Sequence, residues 1–519
     1  MRIAFRADAS LDIGTGHVMR CLTLAHKLAG RGAEIKFVCR EHPGHLAENI
    51  RAQGFDVALL GYSDGGEERL KKNNPHAAWV GAPQAEDAAE TRAALGDFVP
   101  NWLVVDHYGL DVKWESLVRP AGGRILVIDD LANRAHVCDL LLDQNYFRDA
   151  GQRYAGRLPS HCSAWLGPRY ALLRPEYAQA RKTRDRKLDK VERLLVFVGG
   201  SDRQNLTSKL VSLLDSPAFA ALHVDVVVGG NHEHVQEVEA LVTRRPRTMM
   251  HRNLPHLANV MAEADLAIGA GGATTWERFC MGVPAVVVSL ASNQEAICEE
   301  LQDAGLITYL GRLDQVNEER FRAVLLELLA SPDHLQAQSR RSQVLVDGNG
   351  ASRIAELMIP TSTDHLKLRQ ARPDDGLQYF DWVNDPSVRA SAFDTAPIPL
   401  ARHLNWFANK LKAQNSFLYV LEASGLPVGQ MRLEQEPDGI WIDYSLDGFV
   451  RGRGWGVELI RRGAEMLGKH RDGVLRARVK RANAVSASVF LRLGFEETPS
   501  SEAGMRVFAR AVDDFCTRA

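Results

Sequence analysis

From Met1 to about Ala180, short apolar runs alternate with stretches whose apolar positions recur at helical spacing. Residues 2–6 read as a strand, 18–28 as a helix with Val18, Leu22, Ala25 and Leu28 on one face, and 35–39 as the next strand. Residues 103–105 and 125–128 are two more buried-strand candidates. This alternation predicts a parallel sheet with crossover helices. A basic, polar stretch, 181–190, separates that unit from a second with the same pattern: strand-like 194–198, 224–228, 266–268 and 285–290 each run into glycine or a turn. The expectation is two tandem Rossmann-like domains, 1–185 and 186–360, with a ligand cleft at the carboxyl ends of their strands. The pattern changes at the turn-rich Pro360-Thr361-Ser362-Thr363-Asp364. Beyond it, over 366–519, helical 374–384 and 400–412 precede strands 417–422, 428–433 and 441–446, the last behind a hairpin signal at Pro437-Asp438-Gly439. A glycine-rich loop, a helix, strand 474–479, another helix and strand 506–511 complete an α+β domain.

Composition narrows the class. A chain of 519 residues is too long for one core, and 45% hydrophobic with 25% charged residues is ordinary for a globular protein. A formal net charge of -2 gives no electrostatic case for nucleic acid or an anionic membrane as partner. Seven scattered cysteines without a CxxC pair suggest neither a disulfide framework nor a zinc site, and fit a reducing compartment. The opening MRIAFRADAS has charges where a signal peptide needs an apolar run, and no stretch approaches ~18 uninterrupted apolar residues. A soluble cytoplasmic enzyme is expected, its oligomeric state left open.

Three glycine loops then supply candidate chemistry. Gly14-Thr15-Gly16-His17-Val18-Met19-Arg20 lies between strand and helix, where glycines admit a phosphate and helix amides favour an anion. His17 has two roles open to it: proton transfer near neutral pH, or merely capping the helix or binding phosphate. In the second unit, Gly199-Gly200-Ser201-Asp202 with Asn205, and Gly269-Ala270-Gly271-Gly272-Ala273-Thr274-Thr275-Trp276-Glu277, also follow strands. Both read as diphosphate cradles of backbone N–H and small hydroxyls, with Glu277 placed to accept from a ribose. Asp129 and Asp130 read as holders of loop backbone, and Asp106 as a partner of His107 or a turn cap.

Residues 1–345 resemble the GT-B fold of UDP-sugar enzymes and, more narrowly, the hydrolases that act on UDP-2,4-diacetamido-2,4,6-trideoxy-β-L-altropyranose in pseudaminic acid biosynthesis. The match is carried by Arg6-Ala7-Asp8, Ile13-Gly14-Thr15-Gly16-His17 with Arg20, Asp106-His107-Tyr108, Asp129-Asp130, Cys138-Asp139 and Asp143-Gln144-Asn145. It continues through Gly167-Pro168-Arg169-Tyr170, Leu173-Arg174-Pro175-Glu176, the two second-unit loops and Asn293-Gln294. The resemblance implies that His17 activates water against the anomeric carbon and releases UDP with inversion. It places Tyr108 and Asn293 near the sugar and leaving group, and the second-unit loops with Gln294 around the nucleotide. No D-x-D-like motif is evident, so hydrolysis without a divalent metal is expected.

In the last segment, Arg451-Gly452-Arg453-Gly454-Trp455-Gly456 opens a helix and fits R-x-x-G-x-G, a loop whose amides converge on a pyrophosphate. With the later Asn483-Ala484-Val485-Ser486 and Leu493-Gly494-Phe495, residues 366–511 resemble the GCN5-related N-acetyltransferase (GNAT) fold. That resemblance implies acetyl-CoA on this loop, contacts from Asn483 and Ser486, and direct acetyl transfer to an amine. Many relatives carry a tyrosine general acid where Phe490 stands here, which leaves Tyr444, water or no dedicated acid. Asn384, Asp385, Arg389, His403, Trp406 and Phe407 lie in or beside the two helices that usually face the acceptor in this family, with Phe407 read as core and Trp406 as core or stacked on a nucleotide base; Cys516 is read as incidental. Together the halves imply a bifunctional enzyme that acetylates the 4-amine of a UDP-4-amino-4,6-dideoxy sugar and then removes UDP. The alternatives are a GT-B glycosyltransferase fused to an acetyltransferase, and a protein N-acetyltransferase carrying a sugar-binding module.

Overall fold

The apolar run after Arg2 becomes the centre of the first sheet. In a computed structural model, which describes residues 1–62, 74–184, 188–200, 202–230, 232–468, 473–499 and 504–515, contacts divide the chain into two compact units, Met1–Met358 and Ile359–Ala519. Ser201 and Cys516, both named from the sequence, lie outside the described residues.

The first unit holds two parallel sheets. Strands β1 (Arg2–Ala7), β2 (Glu34–Arg40), β3 (Asp56–Leu60), β4 (Trp102–Asp106), β5 (Arg124–Ile128), β6 (Leu140–Asp143) and β7 (Ser163–Leu166) run in the order β3-β2-β1-β4-β5-β6-β7. Strands β8 (Arg193–Phe197), β9 (His223–Val228), β10 (Thr248–Arg252), β11 (Leu266–Ala270), β12 (Ala285–Ser289) and β13 (Thr308–Arg312) run in the order β10-β9-β8-β11-β12-β13. Helices cover both faces, so the inner strands are nearly continuous in buried apolar residues, as Ile3, Ala4 and Phe5 or Val286, Val287 and Val288 illustrate. Each sheet changes winding direction once, between β1 and β4 in the first and between β8 and β11 in the second. Chain leaving two strands in opposite directions opens a crevice at their carboxyl ends, the usual ligand position in such sheets.

The described start of the stretch 181–190, residues 181–184, is tied to the second half. The helix Pro175–Thr183 runs into it, and Arg181 and Arg184 are anchored in the second half. Arg181 donates to the carbonyls of Cys280 and Val346, and Arg184 to those of Ala264, Met281 and Gly282. The helix Gly350–Met358 then returns to the first half, where Arg353 donates to the Arg169 carbonyl and Glu356 pairs with Arg31 at 2.7 Å. Gly350 permits that contact, since a Cβ there would lie 2.2 Å from the Ala171 carbonyl oxygen.

The second unit is a mixed sheet of β14 (Leu366–Gln370), β15 (Ser416–Ala423), β16 (Leu426–Glu436), β17 (Gly439–Leu446), β18 (Val474–Lys480), β19 (Glu496–Thr498) and β20 (Met505–Ala511). Its order is β14-β15-β16-β17-β18-β20-β19, antiparallel except between β17 and β18. That parallel pair holds only at Ile440↔Leu475 and Trp441↔Arg476, so the strands part beyond Trp441. The β17 edge from Ile442 to Leu446 is thereby left open on the β18 side.

Candidate functional site

In the first unit the loops after β1 and β4 meet. His17 lies in the first turn of the helix Gly16–Ala29, whose Thr15 cap makes no side-chain hydrogen bond, leaving the first amides available. Its Nδ1 is 2.6 Å from Asp106 Oδ1 at the end of β4. Arg20, one turn on, holds both oxygens of the same carboxylate, with Nε to Oδ2 and Nη2 to Oδ1 each 2.6 Å, and reaches Asp130 at 3.1 Å. Burial alone would raise the Asp106 carboxyl, but the Arg20 charge, with His17 and hydrogen bonds from both, holds it well below the usual carboxylate range. An ionised Asp106 accepts from Nδ1–H and so fixes the tautomer with Nε2 as the free base. Nε2 has no hydrogen-bond partner among the described residues. The sequence pairs Asp106 with its neighbour His107, but in the fold His107 turns away to Asp8, 3.3 Å distant, and accepts from the Gly109 amide. Tyr108 packs edge-on against His17, ring centroids 4.6 Å apart, and burial followed by the Asp130 charge pushes its hydroxyl well above the normal range.

The second-half loops stand at their own crossover. Gly199 (φ +141) and Gly200 follow β8, and Gly271 and Gly272 follow β11. A Cβ at Gly14, Gly16, Gly199 or Gly200 would meet nothing within 4 Å, so these backbones border open space, while one at Gly271 would strike Cys298 Sγ at 2.3 Å. The two halves face each other here, for Arg203 beside the Gly199 loop donates to the Leu11 carbonyl (2.9 Å) and to Asp12 (3.1 Å) beside the Gly14 loop. Arg278 lies buried behind the third loop, donating to the Ala270 carbonyl and Thr275 Oγ1 with no hydrogen bond to a carboxylate among the described residues, and burial lowers it to about 10. A cation held this way favours an anion on the loop in front of it. Gln294 reaches back to the Leu290 amide beside Gly271. Thr274 is half-buried, and Asn293 is exposed on the turn Ser292–Gln294 without a hydrogen bond to any described residue. Glu277 is half-buried and its carboxyl is pushed up by burial to about 7, against the Tyr177 hydroxyl and the Arg278 and Arg174 charges. Asp202, read as a nucleotide contact, works locally: it accepts from the amides of Leu206 and Thr207 and caps their helix.

In the second unit, Gly452 (φ +80) and Gly454 (φ +79) bend the loop ahead of the helix Trp455–Gly468, and a Cβ on either would meet nothing within 4 Å. Both require the left-handed region that glycine enters freely. Gly456 backs onto the Tyr444 ring, which a Cβ on that glycine would touch at 3.4 Å. The loop, the open edge of β17 and the start of the helix Ala484–Arg492 thus converge on one side of the sheet. Residues named for the cofactor also have surroundings within the domain. Arg451 pairs with Asp385 at 3.1 Å and donates to Ser387 and the Leu446 carbonyl; Trp455 is buried; Asn483 caps its helix through the Ser486 amide at 3.0 Å. Arg453 lies over the Trp455 ring. Phe490 is fully buried among Phe495, Phe508 and Tyr444, whereas the Tyr444 hydroxyl is 3.3 Å from Ser486 Oγ. Asn384 ties the Ile398 segment, and His403 and Phe407 are core.

Comparison with known proteins matches these two regions. Residues 365–496 match the acetyltransferase (GNAT) domain family, and residues 194–358 the glycosyltransferase family 28 C-terminal domain. The chain is 24% identical over 307 residues to the UDP-2,4-diacetamido-2,4,6-trideoxy-beta-L-altropyranose hydrolase of Campylobacter jejuni, covering 59% of this chain and 97% of that protein. The chain joins a unit of GT-B-like fold to a GNAT acetyltransferase domain. An uncharacterized protein of Methanocaldococcus jannaschii is 22% identical over 96% of this chain and 97% of its own length. The Bacillus subtilis spore coat polysaccharide biosynthesis protein SpsG is 29% identical over 193 residues, 37% of this chain and 57% of its own length.

Sequence reading misses three parts of the GT-B unit: Asp106 and Asp130 as partners of Arg20, and Arg278 behind the third loop. Only the placement of Asp106 at a strand's carboxyl end, beside the crossover from β1, could have signalled its link to His17. Among the described residues no group of three or more His, Cys, Asp or Glu is arranged to hold a metal ion, and no helix is long and apolar enough to cross a membrane.

Proposed function

We propose that the GT-B unit hydrolyses UDP-2,4-diacetamido-2,4,6-trideoxy-β-L-altropyranose and that the GNAT domain makes this substrate by acetylating the 4-amine of its precursor. The observation that carries the first step is the 2.6 Å contact of His17 with an Asp106 clamped by Arg20, at a helix N-terminus facing the glycine loops. His17 Nε2 takes a proton from water as the oxygen attacks the anomeric carbon; the C–O bond to the diphosphate breaks and UDP leaves with inversion. The leaving charge is met by the amides of the Gly199 and Gly271 loops and by Arg278. Tyr108 borders the attacked carbon, and Glu277 accepts from the ribose.

For the GNAT domain, acetyl-CoA is the cosubstrate and supplies the thioester. The bare backbone at Gly452 and Gly454, ahead of a 14-residue helix, fits its pyrophosphate, and the open β17 edge fits the amide-bearing arm behind it. Phe490 has no proton to give. Tyr444, its hydroxyl near Ser486 and its ring against Gly456, is the donor we assign to the departing thiol.

The family 28 match favours one rival, glycosyl transfer to an acceptor instead of water. Incubating the purified chain with the UDP-sugar alone separates them. Free sugar and UDP appear stoichiometrically if water is the acceptor; an intact donor overturns hydrolysis.

A further inference from the structure

An aromatic cluster stands beside His17 that neither the nucleotide loops nor the base uses. Trp79, in the turn Ala77–Val80, stacks on Tyr108 with centroids 5.7 Å apart and planes at 24°. It meets His17 edge-on at 6.3 Å and His76 at 4.6 Å, and His76 lies 5.2 Å from Tyr108. The group is fixed to the sheet. Asn74 donates to the Tyr108 carbonyl at 2.8 Å and accepts the His76 amide at 2.9 Å. Gly109 lets the segment seat, since a Cβ there would lie 2.5 Å from Val80 and 2.7 Å from the His76 carbonyl oxygen.

Core packing does not account for this arrangement. Trp79 and His76 are only half-buried, although they adjoin fully buried strand ends. Burial, then the charges of Arg134, His107 and His17, holds the His76 imidazole below its usual range. A carbon attacked by water held on Nε2 must sit within a few ångströms of that nitrogen, roughly 3–3.5 Å from the attacking oxygen. Trp79 and Tyr108, with ring centroids 6.3 and 4.6 Å from that of His17, are the aromatic groups beside that position. Hydroxyl groups pressed onto these faces would lose water without gaining a partner, whereas C–H bonds and methyl groups lose nothing.

We propose, resting on the hydrolase reading, that Trp79 is the specificity-determining side chain of the sugar subsite, taking the C–H-rich face of a deoxy, acetamido-bearing sugar and disfavouring fully hydroxylated ones. Tyr108 backs the indole and His76 closes the wall.

The test uses the full chain with Trp79→Ala and Trp79→Phe, and three probes: UDP-2,4-diacetamido-2,4,6-trideoxy-β-L-altropyranose, UDP-N-acetylglucosamine and UDP. In Trp79→Ala the KM for the diacetamido substrate rises at least tenfold and its preference over UDP-N-acetylglucosamine narrows, while inhibition by UDP stays within twofold. Trp79→Phe keeps most of the affinity, which also answers for folding. An unchanged KM, or a loss of UDP inhibition in parallel with it, overturns the proposal. If the wild-type chain hydrolyses nothing, the hydrolase reading fails on its own. Calorimetric titration then decides the subsite: a ratio of nucleotide-sugar to UDP affinity that collapses in Trp79→Ala upholds it, and a ratio that survives overturns it.

Discussion

The proposed role of His17 as base rests on contacts with Asp106 and, through it, Arg20 that no single residue reveals. Replacing His17 with alanine leaves binding groups intact, so with the 4-amino UDP-sugar and acetyl-CoA the variant should stop at the acetylated UDP-sugar, with sugar release down by about 10²-fold or more. NMR of the sugar reports both steps, and normal release would remove His17 from the mechanism. Asp106→Asn tests the clamp: an amide no longer demands Nδ1–H, and kcat should fall by about 10²-fold with little change in KM. Asp106 stays ionised across any practical assay range, so it contributes no limb to the pH profile. His136 makes the opposite case. Burial disfavours its charge, but Asp129 at 3.7 Å and Glu115 at 2.6 Å outweigh it and raise the imidazole to about 9. Its folded value lies above the unfolded one, so the stabilisation is complete below about pH 6.5 and disappears as pH rises through about 9, amounting to about 2–3 kcal/mol at pH 7. Urea midpoints of His136→Gln against the native chain should therefore diverge at pH 7 and converge near pH 10.

Elements follow the sequence pattern where a single period governs them. The strand starting at Arg2, the helix after Gly16 and the β11–helix junction are all readable, because their apolar residues repeat with one spacing and end in glycine. The anchoring of Arg181 and Arg184 is not, because a basic stretch looks solvated whether its arginines meet water or a set of distant carbonyls. Arg451 and Asn483 hold motif positions that suggest a ligand, and their further contacts with Asp385 and the Ser486 amide are not part of that motif. Arg184 makes the anchoring measurable. Alanine there frees the carbonyls of Ala264, Met281 and Gly282 and should cost about 2 kcal/mol in unfolding free energy with no loss of acetyl transfer, read by urea titration and a thiol assay. Tyr444→Phe acts on the other unit. It should lower kcat for acetylation about tenfold or more and flatten the alkaline limb of its pH profile, while hydrolysis of preformed substrate continues unchanged.

At the scale of the whole molecule, the chain is two compact units that meet in sequence at Met358, and the proposed function gives them consecutive steps on one sugar nucleotide. Neither glycine loops nor sheet order alone distinguishes hydrolysis from transfer; that distinction depends on side chains brought together from loops after different strands. The return of the helix Gly350–Met358 to the first half has a consequence for how the protein is made. Translation supplies the first sheet by Leu166, but the helix that seals it against Arg169 and Arg31 is among the last pieces of its unit to be synthesised. At roughly 5–20 residues per second, the nascent first half waits tens of seconds with that surface uncovered. Chaperone occupancy on the ribosome should accordingly persist until codons past Met358 have been read, and drop as the GNAT domain begins to emerge.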